Sequence, residues 1–250
     1  MLQETVFDHL RYVNLIHEQA DASGRSAVGP ATFFVSHCWN SPWESLVDAL
    51  MVHAADQVSQ GAVEPFYWVD IFAVQQHTGG LDAPAWQSSR SSTERSRAEG
   101  GDDLMGDDLT EDKGFKAVCS VTKKTVLHLE PWFAPEAISR VWCLFEIFTT
   151  LQVGGEVTVC LATKDARNFA ATKAEGDGDV EALLEKAIDK IDARKAAATY
   201  APDWNMNVKL IINAGQLDAL NKAVQSQMRR WLTQDTSFDA GEWEQQGRQA

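Results

Sequence analysis

Between residues 137 and 151 the chain is apolar almost without interruption, through Ala137, Ile138, Val141, Trp142, Leu144, Phe145, Ile147, Phe148 and Leu151. At 100° per residue these positions cover most of the circumference of a helix. They leave one narrow polar lane of Ser139, Cys143, Glu146 and Thr150. A helix that is apolar nearly all round is a buried one. Glu146 is flanked by Phe145 and Ile147, and a carboxylate buried there requires a partner or a task.

The rest of the pattern supplies a frame for that helix. Thr32-Phe-Phe-Val-Ser-His-Cys38 is short, β-branched and aromatic, and predicts a buried strand. In Asn40-Ser-Pro-Trp-Glu44, Ser41 is placed as N-cap, Pro42 at the first helical position and Glu44 three residues after the cap. That spacing predicts a capping box, with the helix continuing through Leu46, Val47, Leu50 and Ala54. Residues 65–74 are nearly continuous in apolar side chains, as in a strand covered on both faces, with Asp70 near the end. A short helix follows at 115–121 and a third strand at 125–130. Pro131, Trp132 and Phe133 turn that strand into the helix at 137–151. Residues 156–162, entered through Gly154 and Gly155, read as a fourth strand. This alternation of strands and helices predicts a parallel sheet with helices on both faces.

The flanks differ in kind. Val6, Leu10, Val13 and Ile16 or His17 at helical spacing predict a docking helix within 4–20, and residues 22–30, rich in Gly and Ser, form a linker. Residues 75–114 hold a basic half and an acidic half with little apolar content, which reads as a lid or as solvated, disordered chain. Beyond 162 the pattern turns helical. Val180, Leu183, Leu184, Ala187, Ile188 and Ile191 form one stripe, and Leu217, Leu220, Val224 and Trp231 another. Between them Trp204, Val208, Ile211 and Ile212 form a helical stripe or a fifth strand. The expected organisation is an N-terminal helix and linker at 1–29, an α/β domain at 30–165, a C-terminal helical region packed on it at 166–235, and a polar tail at 236–250.

Composition narrows the chemistry. At 250 residues and 44% hydrophobic, the chain is long enough for one large core. Its 36 acids against 22 bases, net charge −14, argue against nucleic acid as a partner. No run of about 18 apolar residues predicts a membrane span, and the first residues lack the pattern of a signal peptide. Four cysteines without C-x-x-C spacing, Cys38, Cys119, Cys143 and Cys160, read as reduced thiols of a cytoplasmic protein. The acid pairs at 102–103 and 107–108 lack the order of a calcium loop, and neither a P-loop nor a G-x-G-x-x-G occurs. No metal and no resident cofactor are therefore expected.

Three segments in this order resemble the Toll/interleukin receptor (TIR) domain. Phe34-Val-Ser-His37 is similar to the family's first box. Tyr67-Trp-Val-Asp-Ile-Phe72 takes the place of its second strand. Ser139-Arg-Val-Trp-Cys-Leu-Phe-Glu146 resembles the Ser-x-x-Trp-Cys-x-x-Glu segment of its third main helix. Ser36-His-Cys-Trp39, Trp68-Val-Asp70 with Gln75-Gln76, and Arg140-Val-Trp142 with Glu146 also resemble the fungal heterokaryon-incompatibility domain. The likeness covers about residues 30–165. Two features depart from it: Thr32 and Phe33 stand where many TIR domains have Asp, and the loop at 75–114 is longer than the family's and lacks its signature.

The resemblance implies a three-layer, flavodoxin-like sheet and an intracellular signalling or defence role. It further implies either cleavage of the nicotinamide–ribose bond of NAD⁺, taken as substrate, with the family's glutamate falling on Glu146, or self-association as a non-catalytic scaffold. For the first, Ser36, His37, Cys38, Trp39, Asp70, Phe72, Ser139, Trp142 and Cys143 are the candidate substrate-binding residues. The residues themselves leave plainer roles open. Glu146 can be a structural carboxylate, His37 a hydrogen-bonded core histidine, Trp39 and Trp142 packing groups, and Asp70 a turn cap.

Overall fold

The structure, a computed structural model, describes residues 11–73, 114–175, 180–197 and 216–233. It is a mixed α/β protein whose four strands form an all-parallel sheet. The chain gathers into two compact units, residues 1–35 with 65–123, and residues 36–64 with 124–250.

The first unit holds α1 (Tyr12–Ile16), the start of β1 (Phe33–Ser36), β2 (Tyr67–Trp68), α3 (Asp70–Ala73) and α4 (Gly114–Thr122). Strand β1 pairs with β2 in parallel, Phe33 beside Tyr67 and Phe34 beside Trp68. Phe34 stacks on Trp68 with ring centroids 4.9 Å apart, and Val118 and Cys119 complete this small core. The helix expected over 4–20 ends at Ile16, where the chain folds back on itself. Asp21 Oδ1 accepts the backbone N–H groups of Ser23 and Arg25, and Ala20 bridges Ser26. The strand expected over 65–74 is only two residues long. Asp70 draws the Ile71 N–H onto its own Oδ1 at 2.7 Å, and Phe72 and Ala73 turn back to the Val69 carbonyl, so a helical turn replaces the strand's second half.

The second unit holds α2 (Trp43–Ser59), β3 (Lys124–His128), α5 (Val141–Gln152), β4 (Glu156–Cys160), α6 (Thr163–Glu175), α7 (Val180–Asp189) and α8 (Leu217–Thr233). Strands β3 and β4 run parallel through five pairs, from Lys124 beside Glu156 to His128 beside Cys160. Continuous burial, expected for 65–74, belongs instead to β3, which is buried from Thr125 to His128.

Two expectations about helix starts are corrected. Helix α2 begins at Trp43 with Pro42 as its cap residue, and no side chain caps it. The Ser41 N–H is engaged in a turn with the Cys38 carbonyl, which places Ser41 outside the helix and dissolves the capping box. The stretch 137–151 is likewise not one helix. A single 3₁₀ turn (Ala137–Ser139) precedes an extended Arg140, and α5 starts only at Val141. The break has a partner in Ala197, whose N–H donates to the Ser139 carbonyl while its own carbonyl accepts from Val141. Both α2 and α5 end at a glycine with positive φ, Gly61 and Gly154. In each the next residue donates back to the third-last helical carbonyl, Ala62 to Gln57 and Gly155 to Thr150.

Helix α5 is the centre of the second unit's core. Val141, Leu144 and Ile147 are fully buried, and around them pack Leu184 and Ile188 of α7 and Leu220, Val224 and Met228 of α8. Trp132, Phe169 and Trp231 form an aromatic chain, and the Trp132 indole N–H reaches Asn168 at 2.8 Å. The stripe read at 217–231 lies on α8, and that at 180–191 lies on α7 except for Ile191, which is buried just beyond the helix, while Leu183 turns outward and is exposed. The readings for 75–113, for Trp204, Val208, Ile211 and Ile212, for residues 4–10 and for the tail at 236–250 lie outside the described residues. Among the described residues no helix is long and apolar enough to cross a membrane.

Candidate functional site

The polar lane of α5 meets polar groups from two strands. Ser36, the last residue of β1, has no exposed surface, and its Oγ donates to the Glu146 carboxylate. Cys143 Sγ donates to the His37 carbonyl at 3.4 Å. One turn beyond Glu146, Thr150 Oγ1 lies 2.7 Å from Thr125 Oγ1 of β3 and also donates to the Glu146 carbonyl. Glu146 is therefore fixed through both its side chain and its backbone turn. Ser139 drops out of the lane because the break at Arg140 precedes α5. It is exposed, and its Oγ donates to the Glu136 carbonyl at 2.7 Å.

A second polar group lies at the end of β3. His128 is buried, and its Nε2 is 3.2 Å from Ser45 Oγ in the first turn of α2. Glu130 follows two residues later, its Oε2 3.7 Å from the same nitrogen. That separation suits an ion pair only with a charged imidazole. Burial, aided by nearby His37, pushes the His128 pKa down to about 4, so at neutral pH the ring is neutral and the contact is not an ion pair. The buried His128 Nδ1 and Glu130 Oε2 have no hydrogen-bond partner among the described residues. Asp48 of α2 accepts both the backbone N–H and the hydroxyl of Thr163, which caps the start of α6. In the first turn of that helix Asp165 has its pKa raised, first by burial and then by the charge of Glu130.

Both groups sit where a parallel α/β sheet carries its ligands, at the carboxyl ends of strands. His37 connects them, with its carbonyl on Cys143 and its ring close enough to influence His128. Cys143 is an unsuitable nucleophile, because complete burial and then the Glu146 charge push its thiol pKa well up.

The remaining candidate residues are dispersed in role. Cys38 is buried with its Sγ 3.4 Å from Glu136 Oε2, whereas Trp39 is 49% exposed. Trp142 is half-buried, edge-on to Phe145, and packs against the large core cluster. Asp70 caps the turn of α3, and Phe72 lies against Tyr12 at 5.4 Å, both within the first unit. Sequence reasoning passed over Ser45, His128, Glu130 and Asp165. One signal was available for two of them, since His128 and Glu130 stand at and just past the carboxyl end of a strand that the pattern already predicted.

Compared with known proteins, the chain matches no family model, no curated protein and no solved structure. Among the described residues no three His, Cys, Asp or Glu side chains come together as a metal-ligand set.

Proposed function

We propose that the chain is a TIR-like, flavodoxin-like signalling or defence protein of the cytoplasm, which binds NAD⁺ or a related nucleotide and cleaves its nicotinamide–ribose bond with Glu146. One observation carries this reading: the Glu146 carboxylate is half-buried, yet held by a hydroxyl from a fully buried residue at the end of β1, beside residues 37–39. Parallel β1–β2 and β3–β4 pairs joined through helices are compatible with a flavodoxin-like order.

The chemistry asks little more than a fixed carboxylate. As the bond breaks, the electron pair leaves with nicotinamide, which departs neutral, and positive charge builds on the ribose as in glycoside hydrolysis. A carboxylate already oriented toward that charge stabilises the transition state more than the ground state. Water then attacks the anomeric carbon and a proton is released. The test is nicotinamide release from NAD⁺ by concentrated protein. Glu146→Gln is expected to lower the rate about 10²–10³-fold, and a rate that survives the substitution unchanged removes Glu146 from the mechanism.

A second reading is a non-catalytic scaffold that works by homotypic self-association. It is favoured by Trp39, Trp43 and Phe133, which are 49%, 42% and 52% exposed. Concentration-dependent assembly without nicotinamide release would select it.

A further inference from the structure

The group at the end of β3 has the composition of a hydroxyl-binding site rather than of a core contact. Three features point that way. Glu130 Oε2 is buried without a hydrogen-bond partner among the described residues, although the Glu130 side chain as a whole retains 21% exposure and so borders solvent. A carboxylate oxygen left in that state is costly, and structural packing alone gives no reason to keep it. Next, His128 Nδ1 also lacks a partner, and the less costly way to leave a buried ring nitrogen unpaired is as an acceptor rather than as an N–H. The ring proton then sits on Nε2 and is directed at Ser45 Oγ, 3.2 Å away. Ser45 uses its oxygen to accept that bond and keeps its own proton for another acceptor. Finally, Asp48 and Thr163 fix the start of α6 through two hydrogen bonds, and α6 carries Asp165, whose carboxyl responds to the Glu130 charge.

We propose that Glu130 and Ser45 bind the vicinal hydroxyls of a ribosyl group, Glu130 accepting from a hydroxyl and Ser45 donating to one, with His128 as the positioning residue that orients Ser45. A vicinal diol supplies two donors to a carboxylate, and each of its oxygens also accepts, so it satisfies both protein groups at once. This deepens the nucleotide reading and rests on it: Glu146 serves the breaking bond, and Glu130 and Ser45 hold the sugar.

The test is calorimetric titration of the full chain with ADP-ribose, alongside thermal melting. Wild type is expected to bind. Glu130→Gln, which keeps an acceptor oxygen but loses its charge, and Ser45→Ala, which loses a donor, are each expected to weaken binding about tenfold. Glu130→Gln should leave Tm unchanged or raise it by about 2–4 °C, since the buried Oε2 has no donor among the described residues to lose. A purely structural role would lower Tm and leave affinity alone, which overturns the proposal. Binding that both variants preserve also overturns it while leaving Glu146 and its assay untouched. Wild type that binds neither ADP-ribose nor NAD⁺ overturns this proposal and the nucleotide reading together. Where Glu130→Gln fails to fold, Glu130→Asp and Ser45→Ala are read in its place by the same criteria.

Discussion

Two glutamates near strand ends in the second unit have opposite surroundings. Glu146 receives the hydroxyl of Ser36, and its own helical turn is tied to β3 through Thr150 and Thr125. Glu130 has a buried oxygen with no donor among the described residues, and its nearest ring nitrogen, 3.7 Å away, belongs to a histidine that burial keeps neutral. The first carboxylate is built into the fold, and the second is left with unused hydrogen-bonding capacity. A carboxylate's role therefore follows from which donors the tertiary structure brings to it, and not from its burial alone.

The largest effect that tests this contrast comes from acid. The native pKa of His128, about 4, lies below its ordinary value of 6.5. Between those values the unfolded chain takes up a proton that the native chain refuses. The contribution of His128 is thus fully present above the ordinary value and lost as pH falls toward 4. On this account acidification from pH 7 to 4 removes up to ~3 kcal/mol. Urea denaturation across that range should show the slope, and His128→Gln should flatten it.

Removing the donor to Glu146 comes next. Ser36→Ala is expected to cost about 1–3 kcal/mol by leaving a half-buried carboxylate oxygen without its hydroxyl. A double-mutant cycle with Glu146→Gln should give a coupling of about 0.5–3 kcal/mol, and strict additivity would deny that the contact organises the site. Asp48→Ala, which uncaps α6 beside Asp165, should cost about 1 kcal/mol, seen as a Tm lower by about 2–4 °C. Smallest of all in stability is Glu130→Gln, expected at zero or slightly positive, whereas the same change at Glu146 turns the charge-assisted bond from the Ser36 hydroxyl into a neutral one and should destabilise. Equal responses at the two positions would erase the distinction between them.

Much of the frame was legible along the chain. Strands β1, β2 and β4 fall inside the predicted runs, β3 starts one residue before its own, and the stripes at 180–191 and 217–231 lie on α7 and α8 apart from Ile191, because apolar runs and period-3.6 spacing report burial directly. The failures share one physical cause. At residues 65–74, at Ser41 and at Arg140, a local rule lost to a competing hydrogen bond: the Asp70 side chain, the Cys38 carbonyl and the Ala197 backbone respectively. The first of these is a neighbour, but Ala197 lies 57 residues beyond Arg140 along the chain, and no window of sequence contains both. The site divided in the same way. The lane of Cys143, Glu146 and Thr150 was visible as a helical pattern, whereas Ser45, His128 and Glu130 come from two separate elements with no shared motif.

What the sequence determined by itself is the alternation of strands and helices, the buried character of the helix around Glu146, and the identity of its polar lane. These follow from spacing and side-chain polarity, which are local properties. Only the tertiary structure decided that Ser36 would meet Glu146, that Ser139 would leave the lane, and that Glu130 would keep a buried oxygen without a donor. Hydrogen bonds between side chains depend on geometry within a few tenths of an ångström, and that geometry is set by how strands and helices distant in sequence come to rest on one another.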